Sequence, residues 1–412
     1  MKKKCIIIIA ALLFAIKGEA QDSTFLALDK LLKTVETTFP DVLKYESLNK
    51  AWSEKATSAT ALMPPTFSAG INRFPYTFKG MDEMTPMNQA GLMFSLEQMI
   101  SNPGKRNARK DYYKSLGNVE LQKAEWTKNE LKTIAKKFYY QRQIAEKKLM
   151  LIEENEGLLK LIISTAESRY TYNQAELTNI YKAKAKLEEL GNMRLMQKSV
   201  IAESNIGINT LLIRDINTSF SIDTALSLQA YSFRPDSVSR SDIRAMYGGI
   251  ESMKKEQKYM ASYSKPDFGV QLQHMQMFGM PEQFSVMGMM TIPIVPWSSK
   301  MYKSDVRAMQ FEIQSMQKEV ESMQLMAIQM QAEKFTMLQY SKEQLNNFRM
   351  SIIPSFEKNM DANLLAFRQN TGSFFVLLDA WDMLLMKKME LYELWINTLN
   401  LEADYELEIE KK

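Results

Sequence analysis

The chain is nearly devoid of the side chains that carry covalent or metal chemistry: its 412 residues include one cysteine and one histidine. The cysteine, Cys5, lies in a segment built like a secretory leader, with Met1-Lys2-Lys3-Lys4, an apolar run over residues 5–16, and Gly18-Glu19-Ala20 ahead of Gln21. Processing after residue 20 takes away the only thiol, which excludes disulfides, thiolate zinc sites, cysteine nucleophiles and an N-terminal lipid anchor. A single imidazole, His274, is too few for a metallohydrolase centre or a His-based proton relay. Long apolar stretches are missing too: the leader's run is about a dozen residues, against the roughly 20 that a membrane-spanning helix needs. Nor is there a surplus of either charge sign, since 52 Lys and Arg face 48 Asp and Glu, and loss of the leader's four lysines and one glutamate brings them closer still. Nucleic acid therefore has no basic field to bind. No Gly-rich phosphate loop is present, and adjacent acids such as Glu153/Glu154 and Glu188/Glu189 point apart on a helix rather than forming a dyad. The residues predict neither an enzyme nor a cofactor.

What is there is one plan stated twice, roughly 200 residues apart. Pro65-Thr66-Phe67-Ser68-Ala69-Gly70 corresponds to Pro266-Asp267-Phe268-Gly269-Val270-Gln271, and Arg169-Tyr170-Thr171-Tyr172-Asn173-Gln174 to Ala366-Phe367-Arg368-Gln369-Asn370-Thr371. The predicted organisation is a leader (1–20), a first block (21–216), an irregular connector (217–238) and a second block (239–412). In each block a helix precedes two extended segments with period-2 alternation, within 66–100 and within 267–295. At about ten residues each, these segments suit tilted membrane strands. Four strands cannot close a barrel. An open edge in lipid leaves backbone groups unsatisfied at several kcal/mol each, so the strand reading demands further copies of the chain.

Pro103-Gly104-Lys105 and Pro296-Trp297-Ser298 mark the switch from strand to helix. The runs 105–172 and 300–369 are interrupted only by Gly117, Gly157 and Pro354; each could extend about 100 Å. In the second, Met309, Met316, Met323, Met330 and Met337 recur at every seventh position, interleaved with Val306, Ile313, Val320 and Ala327, the spacing of a coiled-coil seam. Ala124, Leu131, Phe138, Ala145, Ile152 and Leu159 repeat that step in the first. Return helices over about 176–212 and 374–410 follow turns near 170–176 and 367–373.

This order of helix, two strands, long helix, turn and return helix, twice per chain, resembles the TolC family of outer-membrane efflux ducts over the whole mature sequence. Family members carry at each periplasmic tip a tyrosine, a glycine three residues on, a serine, and a Leu-Asp-Ala run. Phe367, Asn370, Ser373 and Leu378-Asp379-Ala380 hold those places in the second block, and Tyr170, Asn173, Glu176 and Ala183 in the first. Asparagine replaces the tip glycine both times, the non-glycine residue that best tolerates a left-handed turn. The resemblance implies a mainly α fold with a membrane β-barrel portion: a homotrimer whose barrel of about 12 strands, four per chain, continues as a periplasmic helical tunnel. It also implies outer-membrane lipid, a periplasmic adaptor and an inner-membrane pump as partners, without nucleic acid. Tyr170, Asn173, Phe367, Asn370 and Ser373 would contact the adaptor, and Asp379 with Asp382 would line a pore constriction, although Val376 stands where a second acid is common. A pore-free periplasmic coiled-coil scaffold is the alternative.

Methionine, at 31 residues, is the other abundance. Met81, Met84 and Met87 crowd the first strand–strand loop. His274, Met275, Met277, Met280, Met287 and Met289 crowd the second strand pair. Thioethers select soft ions such as Cu(I) and Ag(I), so heavy-metal export is one cargo the residues allow; flexible packing is the plainer use of methionine.

Overall fold

The computed structural model describes residues 24–74, 76, 90–172, 176–233, 240–278, 280–369 and 371–411. The leader, the loop bearing Met81, Met84 and Met87, and both tip asparagines, Asn173 and Asn370, lie outside the described residues. In chain order the elements are β1 (Thr24–Leu26), α1 (Leu28–Thr38), α2 (Pro40–Ser58), β2 (Thr66–Asn72), β3 (Gly91–Ile100), α3 (Pro103–Tyr170), α4 (Leu177–Leu211), β4 (Phe220–Ile222), α5 (Ser241–Ser262), β5 (Phe268–Met277), β6 (Gln283–Met290), α6 (Pro296–Asn347), a π-helical turn (Phe348–Ile352), α7 (Ile353–Arg368) and α8 (Phe374–Glu408). Both long helices begin on the prolines that the sequence marked, because a first-turn proline lacks only an N–H that would have no partner there. Two compact units result: a sheet unit (41–127 and 238–329) and a helical unit (1–40, 128–237 and 330–412).

In the sheet unit, β2-β3-β5-β6 form one antiparallel sheet with β2 and β6 at its edges. The outer strands are shorter than the sequence suggested, β2 ending at Asn72 and β6 at Met290. Asp267 fastens sheet to helix: its carboxylate accepts from the Asn102 N–H at 2.8 Å and pairs with Lys105 at 2.7 Å. Lys105 is therefore held at the start of α3. Below the sheet, α5 and α6 share a seam of Ile243, Ile250, Met309, Ile313, Val320 and Ala327, lined by Met246, Met253, Met260, Met316 and Met323. The heptad methionines are thus packing residues in this unit. Gly117 lets α2 approach α3, since a Cβ there would lie 2.6 Å from the Asn49 amide oxygen.

In the helical unit, α3, α4, α7 and α8 bury one core that includes Ile152, Leu159, Ile180, Ala183, Met360, Phe367, Leu377 and Trp381. The methionine stripe does not continue into it. Met337 is 56% exposed while Leu338 and Leu345 are buried, because the apolar phase of α6 moves by four residues after Ala327. At Phe348–Ile352 the ladder widens into a π turn just ahead of Pro354, whose missing N–H and ring would break a regular α ladder. The turn absorbs one residue. Leu338 and Leu345 are seven apart, Ile353 follows after eight, and Met360 and Phe367 resume the step of seven, all buried.

The connector is more ordered than its composition suggests. Phe220–Ile222 pairs in parallel with Thr24–Leu26, a strand too short to show a period. Its backbone is held by buried side chains of α3: Arg142 donates to the Phe220 carbonyl at 2.6 Å and Gln143 to those of Asp223 and Ala225 at 3.0 and 2.7 Å. Further along, Glu402 of α8 accepts the Gln229 N–H at 2.8 Å, and Glu406 is met by Lys136, Tyr231 and Lys411. Burial raises the Glu402 carboxyl above its usual range. For Glu406 burial pushes the same way, but the bonds from Lys136 and Tyr231 outweigh it and hold that carboxyl low.

Two outcomes follow. A depressed carboxyl stabilises the fold fully above its unfolded value of 4.5 and loses that contribution as pH falls through the folded value; Glu402, raised, works in the opposite sense. Glu406→Gln should therefore cost roughly 3 kcal/mol at neutral pH and flatten the acid limb of a thermal-unfolding profile below about pH 4.5, read by circular dichroism. At the end of α4, exposed Ile213 takes a left-handed φ of 54°, the place where helices prefer glycine. Ile213→Gly should exchange a penalty of roughly 1–2 kcal/mol for a smaller entropic one, raising the melting temperature by about a degree or two.

Candidate functional site

Strand residues alternate between the two faces of a sheet, and the pairing register assigns every side chain in the four strands. One face carries Phe67, Ala69 and Ile71 of β2, Leu92, Phe94, Leu96, Gln98 and Ile100 of β3, and Phe268, Val270, Leu272, His274 and Gln276 of β5. Phe284, Val286, Gly288 and Met290 of β6 complete it. The other face carries Ser68, Asn72, Ser95, Glu97, Gln271, Gln273, Gln283 and Ser285, together with Met93, Met99, Met275, Met277, Met287 and Met289. The apolar face is bare: Phe284 is 82% exposed, Ile71 69% and Phe67 66%, with Leu272 and Val286 exposed between them. Outside the strands, Ile294 and Trp297 are exposed as well. Among the described residues no helix is long and apolar enough to cross a membrane.

The register corrects the sequence grouping of His274 with the methionines. His274 lies on the apolar face, stacked against Phe94 with ring centroids 6.5 Å apart and 3.8 Å from the Glu282 carboxylate. Met275, Met277, Met287 and Met289 point from the opposite side, and Met280 falls beyond the end of β5. Neighbours in sequence are here separated by the thickness of the sheet. Among the described residues, no group of three or more His, Cys, Asp or Glu could hold a metal ion.

The helical unit ends in two tips. At the first, Tyr170 closes α3 and is 43% exposed, with Tyr172 more open still. At the second, Ser373 caps α8 by accepting the Val376 N–H at 3.3 Å. Ser373 is exposed, as are Phe375 and Val376. Phe367 is not: it is buried, edge-on to Phe374 at 5.8 Å and under the Arg169 guanidinium at 4.0 Å. It belongs to the interior of the tip rather than to a contact surface, a correction to its expected place. Phe375, the next aromatic, is exposed and carries the Lys182 amine 4.8 Å above its ring.

Asp379 and Asp382 lie one turn apart on α8 and line a groove of about 320 Å³ with Lys182, Lys186, Glu189 and Phe375. The Lys186 amine bridges Glu189 at 2.8 Å and Asp382 at 3.3 Å, and its pKa is raised chiefly by the Glu189 bond. Asp382 is thus engaged within the chain, whereas Asp379 is exposed. The pairs Glu402/Glu406 and Arg142/Gln143, which organise the connector, escaped the sequence reading; apart from Lys411, the partners named above lie 78 to 270 positions away.

Neither a protein-family model nor a curated protein sequence gives a match to the chain. Solved structures do. CusC, whose crystal structures concern folding and transmembrane channel formation, aligns with a TM-score of 0.77 at 13% identity, over 96% of this chain and 95% of its own. The outer membrane protein VceC of Vibrio cholerae gives 0.74 at 12% over 93% and 95%. The open MtrE outer membrane channel of Neisseria gonorrhoeae gives 0.71 at 13% over 93% and 88%. With near-complete coverage on both sides, the chain has the fold of the TolC-family outer-membrane channels.

Proposed function

We propose that this protein is the outer-membrane duct of a tripartite efflux assembly. Three copies close a barrel of about 12 strands in outer-membrane lipid, their long helices continue as a tunnel across the periplasm, and cargo from an inner-membrane pump passes through an adaptor into it without chemistry in this chain. The carrying observation is the bare apolar face of β2-β3-β5-β6 combined with two open edges. In water that face would be an exposed patch well beyond the norm for a soluble protein. In lipid the face is at home, but the edges are then intolerable, and pairing β6 of one copy with β2 of the next satisfies both. The polar face becomes the lumen. A pore-free periplasmic scaffold would leave the same face in water, which is why the channel reading is preferred.

The recurrence of helix, strand pair, long helix and return helix in both halves of the chain supports two structural repeats. In this reading the exposed tip residues Tyr170 and Ser373, with Asn173 and Asn370 beside them in sequence, receive the adaptor, and Phe367 holds the tip's shape from within. Asp379 and the Lys186-bound Asp382 form the constriction at that end, facing the same residues of the other copies. Export of Cu(I), Ag(I) or another heavy metal is the cargo favoured by the methionines of the lumen face.

The two sheet faces supply the test. Arginine on the lipid side near mid-strand costs about 2–4 kcal/mol, and on the lumen side far less. Leu272→Arg should therefore abolish most of the heat-modifiable trimer seen on gels of detergent-extracted membranes, while its neighbour Gln273→Arg should assemble normally. Equal assembly of the two variants, or a wild-type chain that is monomeric in detergent-free buffer, overturns the reading.

A further inference from the structure

Sulfur in the sheet is segregated: six methionines lie on the polar face and one, Met290, on the apolar face. A filler role predicts no such bias, since on the apolar side Phe, Leu, Ile and Val do that work. On the polar side five of the six thioethers collect at the two ends of the strands. At one end Met93 stands directly opposite Met275, with Met277 on the adjoining diagonal. Cross-strand partners hold their Cβ atoms about 5 Å apart and diagonal ones about 7–8 Å, within reach of side chains as long as methionine. The Asn72 amide donates to the Met275 sulfur at 3.9 Å, an interaction that fixes that thioether over the polar face. At the other end Met99 and Met289 flank Gly269 on the two neighbouring strands. A Cβ on Gly269 would fall 2.4 Å from the Met99 sulfur and 3.2 Å from the Met289 methyl, so both side chains converge over the bare glycine. Between the two ends lie Ser68, Ser95, Gln273 and Ser285, and then Glu97, Gln271 and Met287.

We infer that these two thioether stations, Met93/Met275/Met277 and Met99/Met289, bind soft monovalent d10 cations, Cu(I) or Ag(I). The chemistry follows from the donors. Neutral sulfur is a poor ligand for hard or borderline divalent ions and a good one for Cu(I) and Ag(I). Neutral donors also leave the ion loosely held, which suits transfer from site to site rather than storage. The stations sit six residues apart on β5, about 20 Å along the strand, with hydroxyls and amides between them, so an ion entering one finds a second before it leaves the sheet. The inference rests on the channel reading only for where the polar face points; binding itself does not require a pore.

The experiment uses the full chain purified in detergent and titrated with Ag(I), from silver nitrate in chloride-free buffer, or with Zn(II). The wild type should take up Ag(I) with sulfur neighbours visible by X-ray absorption and should not take up Zn(II). Met93→Leu combined with Met275→Leu, and separately Met99→Leu combined with Met289→Leu, should each weaken Ag(I) binding about tenfold or remove a share of the bound ion. Met290→Leu, on the other face, should bind as the wild type does. Leucine conserves volume, and the heat-modifiable oligomer is scored for every variant. Wild-type protein without sulfur-ligated Ag(I), or Met290→Leu impaired as much as the paired variants, overturns the inference; the wild-type spectrum decides this even if a paired variant fails to assemble. Absence of the oligomer from the wild type defeats the channel reading instead and leaves the sulfur signal to speak for itself.

Discussion

A backbone N–H or C=O at the rim of a sheet must find a partner, and hydrocarbon offers none. Almost everything in this molecule follows from that constraint once β2 and β6 are left as open edges beside a face of Phe, Leu, Ile and Val. In the proposed channel, where four strands are too few to bend back on themselves, another copy supplies that partner and the helices that follow let copies stand side by side. The Asp267 staple between the strand pair and the start of α3 fits this demand, because it fixes the angle at which helix leaves sheet. The helical unit builds its own core from α3, α4, α7 and α8.

Much of the architecture was legible in the residues because periodicity is a one-dimensional signal. The strand pairs, the helix starts at Pro103 and Pro296 and the seven-residue seams could all be read off directly. What escaped was whatever depends on register or on distant partners. His274 and Met275 are adjacent letters, and only the pairing with Phe94 and Met93 reveals that they lie on opposite faces of the sheet. Phe367 was read as a tip contact because it occupies the turn, yet its ring turns inward onto Phe374. The connector looked irregular since a three-residue strand has no period to show, and its order comes from Arg142 and Gln143, far away on α3. The methionine stripe was read one heptad too far, past the point where the apolar phase steps by four residues.

The candidate sites divide along the same line. The two-faced sheet is a property of alternation and so was visible early, though not which methionines shared a side. The tip geometry, with Ser373 as cap and Lys186 between Glu189 and Asp382, required the fold. In both places charge is nearly self-compensating within the chain, and the uncompensated feature is shape or softness: bare hydrocarbon on one side of the sheet, sulfur on the other.

The π-helical turn at Phe348–Ile352 bears on how such a chain can change. A coiled seam usually forbids single-residue insertions, because one extra residue rotates every later side chain about 100° out of the core. Here the wide turn takes up that rotation, so Ile353, Met360 and Phe367 land back on the buried side. One arm of the second hairpin can thus differ in length from its partner without any matching change across the seam, which frees the distance between connector and tip to drift while the packing layers stay in step.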